Sequence, residues 1–432
     1  MSFRTKFFLV VLSAVIATYA VVGGMLTNWS SRAQQPINDA GAQIRIFESV
    51  LQHIQNDYVD EPNMEKVRGG ALRGLAYGLD PYSSYLTADQ VKDYQSAKTS
   101  NKVGIGAELS QVASYLYVIA PIKGSPAEKA GVQAGDVIEY IEDKATRDIS
   151  LYDAQQLLRG EAGSKVKVRV LRSGSKPQTI EITRGTYKIP ESESRLEQNG
   201  KIGIIKVYSL ETDEAADIKN HLNNLMKQGA QKIVLDLRGV AAGNINEAVE
   251  VANLFIKDGN LAQTIGRENK VLKTFTADPS KHVFGGQMAV LIDIATSAAA
   301  EVLAGAILDR GRGDVLGERS FGAGTEQQLF TLKSGDGLLL TTVKWASPNG
   351  KPFLNDERKT SGVMPNIEVK RPETPEPLDP EELDNEEPQP RPDSTPEVQP
   401  SPTPKPQVED VQLKKALEVL RGENTETKPK AE

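Results

Sequence analysis

The 432-residue chain has no cysteine, so no disulfide can brace it. It has only three histidines, His53, His221 and His282, in three separate regions with no pairing or metal-ligand spacing. No metal or other cofactor is therefore expected. An excess of positive charge is also missing, since 51 Lys and Arg stand against 58 Asp and Glu, a net charge of −7. Most of that deficit has one address. Residues 372–407 hold 12 of the 24 prolines and ten acidic residues against two basic ones, which leaves the rest of the chain close to neutral. The electrostatic footprint of a nucleic-acid partner is absent, and none is expected. Charge of either sign is missing from residues 7–26, "FFLVVLSAVIATYAVVGGML", which follow Arg4 and Lys6. At about 1.5 Å per residue, such a run spans about 30 Å of hydrocarbon. Residues 1–36 are thus expected to be a cytoplasmic stub with a single-pass transmembrane anchor, or else a signal peptide. The positive flank would leave the bulk of the chain outside the cytoplasmic (inner) membrane, in a periplasmic or extracytoplasmic space. The lack of cysteine is compatible with an oxidising compartment.

What is present changes its period along the chain. Residues 37–101 read as a helical segment, with an apolar stripe of Ile44, Ile46, Val50, Leu51 and Ile54 and then a small-residue helix ending in a turn at Asp80-Pro81. From residue 102 to 187 the pattern alternates as strands do, broken by glycine turns. Ser125-Pro126 is expected to open a short helix that Gly131 stops. In residues 188–371, apolar runs such as "KIGIIKVYS", "KIVLDLRG" and "QMAVLIDI" alternate with amphipathic helices, and "GDVLGERS" and "LLLTTVKWASP" read as two further strands. That alternation predicts an α/β core with a largely parallel sheet. Residues 372–410 are composed as a disordered acidic, proline-rich linker. After it, residues 411–422 put Leu413, Leu417 and Leu420 on one helical face, a stripe that requires a partner surface.

Three stretches of residues 102–187 carry a resemblance: "GIGAEL" at 104–109, "GSPAEKAGVQAGDVI" at 124–138 and "LYDAQQLLRG" at 151–160. Together they resemble a PDZ domain. The resemblance implies that an extended C-terminal peptide adds as a strand beside Gly104, Ile105, Gly106, Ala107, Glu108 and Leu109. Backbone N–H groups near Gly104–Gly106 would hold its terminal carboxylate.

With this domain in place, the order of anchor, helical segment, PDZ-like domain, core containing "VLDLRG" and terminal helix resembles the C-terminal processing peptidases. These are serine peptidases of the periplasm or thylakoid lumen, and their resemblance covers residues 40–370 and the terminal helix. The family implies a serine and lysine dyad with a supporting glutamine, on a "GSASASEI" type run and an "FGKG" turn 25 residues later. Here "TSAAAEVLAGA" at 296–306 and "FGAGTEQ" at 321–327 match those runs, which puts Ala298 at the nucleophile position and Ala323 at the base position. Gln327 stands where the family glutamine is implied. The "NPGG" turn after "DLR" reads Val240-Ala241-Ala242-Gly243.

Hydrolysis by this route needs an oxygen nucleophile and a neutral amine to take its proton. Two alanines supply neither, so no catalytic residue is expected. Ser297 would point about 100° away from the nucleophile position, and Lys333 and Lys344, on expected strands, have no route to it. The three departures together read as a naturally degenerate site. The expectation is a catalytically silent relative that binds the C-termini of unfolded or processed proteins as adaptor, scaffold or regulator. It would self-associate or join an active peptidase. The alternatives are an active peptidase with an unrecognised dyad and a purely structural envelope protein.

Overall fold

A computed structural model describes residues 40–96, 103–112, 114–197, 201–371 and 409–422. The expected membrane anchor and the proline-rich linker lie outside the described residues. Among the described residues no helix is long and apolar enough to cross a membrane. The chain divides into two units between Ala71 and Leu72. The first contains helix α1 (Ala40–Asp57), whose Ile44, Ile46 and Val50 are exposed, and the start of α2 (Met64–Tyr77).

The second unit is built on three sheets. One holds β8 (Glu193–Leu196), β9 (Ile202–Lys206), β10 (Lys232–Asp236), β13 (Gln287–Ile292), β14 (Asp314–Gly317) and β17 (Ile367–Glu368), in the order 17-14-13-10-9-8. All neighbours in it are parallel except the β8–β9 pair. Its central strands are apolar on both faces because both faces are covered. On one side lie α6 (Glu214–Lys227), α7 (Ile245–Phe255) and α8 (Ala299–Asp309), whose apolar residues share a core with Ile205, Leu235 and Val290. On the other lies α9 (Val411–Arg421), with Ala416, Leu417 and Leu420 against Ile204, Val234 and Leu291. The partner that the terminal leucine stripe required is therefore the chain's own sheet. Arg238 donates to both carboxylate oxygens of Asp410, at 2.7 and 2.8 Å, while Asp410 caps the helix through Leu413 N–H. At the other end Lys232 donates to the carbonyl of Leu420, which suits a cation at a helix C-terminus.

The second sheet corrects two expectations. "LLLTTVKWASP" forms β16 (Gly337–Ala346) outside the parallel sheet, in an antiparallel one with β1 (Ser84–Leu86), β11 (Asn260–Ile265), β12 (Val271–Thr276) and β15 (Thr325–Thr331). β1 also interrupts the stretch read as helical, because Ser84, Tyr85 and Leu86 bury against β16 and tertiary pairing overrides the neighbouring helical pattern. Helix α3 (Ala88–Ser96) follows it. The third sheet, β2 (Ala107–Val112), β3 (Tyr115–Pro121), β4 (Val137–Ile141), β6 (Lys165–Leu171) and β7 (Gln178–Thr183), with β5 (Lys144–Ala145) off β4, is antiparallel throughout. It packs with α4 (Pro126–Ala130) and α5 (Leu151–Leu158) around their own core. Ser125 caps α4 and Gly131 ends it at φ 90°, as its sequence predicts.

Candidate functional site

β13 leads through a buried turn into α8, and the residue at the junction is strained. Ala298 sits at the N-cap with φ 49° and ψ −110°, a conformation that L residues rarely adopt. Such strain persists only where the surroundings over-determine it, and it concentrates at functional positions. What holds it is Glu301 in the first turn of α8, which is fully buried. One carboxylate oxygen accepts the N–H of Ala298 and the N–H of Ala323, each at 2.8 Å. The other accepts the Ser320 hydroxyl at 2.5 Å and the Gly322 N–H at 2.6 Å. Two residues 25 apart in sequence are thereby joined through one oxygen atom. Burial pushes the Glu301 carboxyl up to about 7, against the pull of the four donors.

The pocket around this carboxylate is apolar. Ala298 and Ala323 share a cluster with Ala241, Ala295 and Phe321, and the cluster is completed by Ile119 and Ala120 from β3 of the antiparallel domain. Methyl groups from two domains thus meet where the sequence places a nucleophile and a base. Ser297 is buried and donates its N–H to the carbonyl of Val240. Lys333 falls in the β15–β16 turn, a correction to its expected strand, because Asp336 and Gly335 close the hairpin there. Lys344 does lie on β16, 4.0 Å from Asp356. The turn after Arg238 keeps spare donors: among the described residues the N–H groups of Ala241 and Ala242 make no hydrogen bond, and both residues are nearly buried. Gly243 is required beside them, since a Cβ at φ 150° would stand 2.5 Å from the Leu210 carbonyl oxygen.

Gln327 is not part of the Glu301 network. It lies on β15 and donates to Thr325 at 2.8 Å and to Thr341 at 3.2 Å, and Thr341 in turn donates to Asp80. The sequence aligns the 296–306 run through Glu301 and Gly305 and predicts one residual hydrogen-bond network for Glu301 and Gln327; Glu301 is indeed a hub, and Gln327 stands outside it.

In the antiparallel domain, residues 104–106 lead into β2, an edge strand paired only with β3. The carbonyls of Gly104, Ile105 and Gly106 accept from Gly185, Ala127 and Ile122, while their N–H groups make no hydrogen bond among the described residues. Gly106 has φ 74°, and a Cβ there would lie 2.4 Å from that of Ser125. Ile105 and Leu109 point into the domain core, so their side chains serve packing. Ala107 lies at the start of β2, and Glu108 beside it is pushed up to about 7, first by burial and then by the charge of Glu211.

Beside Phe321 and Gly322 opens a cleft of about 1300 Å³, lined also by Ser110–Val112 of β2, by Lys344 and by Arg358. The Arg358 guanidinium lies 3.9 Å over the Phe321 ring. No sequence pattern links these residues.

Comparison with known proteins agrees with this geometry. Residues 201–369 match the model of peptidase family S41, and residues 117–172 match a PDZ domain. The chain is 31% identical over 375 residues to a probable CtpA-like serine protease of Staphylococcus haemolyticus, covering 86% of this chain and 74% of that one. It is 29% identical to the carboxy-terminal processing protease CtpA of Bacillus subtilis, covering 85% and 77%. Among solved structures, a photosystem II D1 C-terminal processing protease superposes with a TM-score of 0.63 at 27% identity, covering 77% of this chain and 88% of that one.

Proposed function

Because the chain belongs to the C-terminal processing peptidases of family S41, we propose that it is a member that binds protein C-termini and does not cut them. One observation carries the reading: Ala298 and Ala323 meet at a single Glu301 oxygen, 25 residues apart as the family dyad is, and bring only methyl groups to the pocket. The strained backbone at Ala298 supports the alignment, since a strand-to-helix turn of this kind is how many hydrolases present a nucleophile. The spare N–H groups of Ala241 and Ala242 would serve a hydrolase as an oxyanion hole, but donors alone leave only a residue of catalysis when the nucleophile and base are gone.

The antiparallel domain supports the binding half. The N–H groups of Gly104, Ile105 and Gly106 suit a carboxylate, and the edge of β2 suits an added strand. In this reading the protein is an adaptor, scaffold or regulator, held at the outer face of the cytoplasmic membrane by residues 7–26 and working alone, as an oligomer or with an active peptidase. The test pairs an unfolded casein-like substrate with a titration of free and amidated peptides. The expected result is no cleavage and tighter binding of the free carboxylate. Cleavage that disappears in Ser297→Ala would overturn the silent site, and equal binding of the amidated peptide would overturn the terminus reading.

A further inference from the structure

Arg358 is a cation with an aromatic platform and, among the described residues, no ion-pair partner. Its guanidinium stacks on Phe321 at 3.9 Å and forms no ion pair among the described residues. Solvent reaches it through the cleft, yet the surrounding protein displaces enough water to pull its pKa down. Of the carboxylates around the cleft, Glu357 and Asp356 reach into solvent and form no ion pair with Arg358, and two others are held by donors of their own. Glu301 spends both oxygens on four donors, and Asp80 accepts from Tyr82, Ser83 and Thr341. The Tyr82 hydroxyl is buried within electrostatic reach of Arg358 and of the Ser110 hydroxyl. A guanidinium already stacked on a ring and left without an ion-pair partner gains a charge-assisted, bidentate contact from a carboxylate that arrives with a ligand.

The direction of β2 says which part of a ligand arrives there. A peptide whose terminal carboxylate sits at Gly104–Gly106 runs antiparallel to β2, one residue opposite each strand residue, at about 3.4 Å per residue. Its last residues lie near Ala107. Those three to six positions upstream lie near Ser110–Val112, which line the same cleft as Arg358. Building on the C-terminus binding proposed above, we infer that Arg358 recognises an acidic side chain three to six positions upstream of the terminal carboxylate, so that the protein selects acidic C-terminal tails.

The experiment uses the full chain and labelled decapeptides with a free C-terminus, carrying one glutamate moved stepwise along an otherwise neutral sequence. Glutamate within the three-to-six window should tighten binding about tenfold at low salt, and glutamate outside it should not. Arg358→Gln should abolish the window while neutral peptides bind as before, and Arg358→Glu should move the preference to lysine. A window that persists in Arg358→Gln, or no glutamate preference while free peptides still outbind amidated ones, would overturn this inference alone. Indifference to amidation, or no binding of any peptide, would overturn the terminus reading and this inference with it.

Discussion

Two sets of backbone N–H groups face each other in this molecule's logic, one around Glu301 and one at residues 104–106. Around Glu301 the N–H groups of Ala298, Gly322 and Ala323 all end on one buried carboxylate. At Gly104, Ile105 and Gly106 the carbonyls are spent within the domain, and among the described residues the N–H groups are not. The contrast separates structure from capacity. A donor set that is satisfied internally fixes a fold and offers a ligand nothing, whereas an unspent set in a concave loop is available to an anion. Beside the first set, Ile119 and Ala120 of the antiparallel domain pack with Phe321 and Ala323 in one apolar cluster.

The sharpest way to break this comparison is Glu301→Ala. It strands the Ser320 hydroxyl and three N–H groups in a buried site, and a loss of about 3 kcal/mol or more is expected in denaturant unfolding. Gly106→Ala attacks the other set. A side chain at φ 74° against Ser125 should cost about 1–3 kcal/mol and weaken binding of free-carboxylate peptides, with amidated peptides unaffected. Asp410→Ala removes a helix cap and the partner of Arg238, for about 1 kcal/mol, and proteolysis should then release the terminal helix first. Ala298→Gly relieves strain at φ 49° and should raise stability by about 1 kcal/mol or less, because glycine's greater unfolded entropy offsets part of the gain.

The pH response sharpens the same contrast. Glu301, Glu108 and Glu214 are each held at about 7 in the fold, above the ordinary 4.5. Between those values the folded state keeps protons that the unfolded chain has released, so stability falls as pH rises from about 4.5 to 7 and levels off above. Thermal melts across that range should show the decline, and Glu301→Gln should make it shallower, since an amide does not ionise there.

Much of the scaffold was legible because local pattern and tertiary role agree. Ile204, Leu235 and Val290 sit in continuous apolar runs that only a doubly covered sheet explains, and Ser125 and Gly131 bracket a helix by their own chemistry. Leu417 and Leu420 announced a buried face, though only the structure names the sheet they cover. β1 and β12 were not legible, since their strands are set by partners far along the chain and not by alternation. The pair of alanines was legible through spacing. The site's closure was not, because Ala120 and Ala323 meet across about 200 residues and no local pattern encodes that contact. Arg358 reads in sequence as one charge in a polar loop, and only its ring contact with Phe321 distinguishes it.

The central claim concerns atoms missing from Ala298 and Ala323, and intact-mass analysis over time tests it most directly. The purified full chain is mixed with an unfolded protein bearing a free C-terminus, and bound and free fractions are weighed. The account predicts that the partner is retained at full mass throughout. Shortened products that accumulate with time and in proportion to the amount of this protein would contradict it.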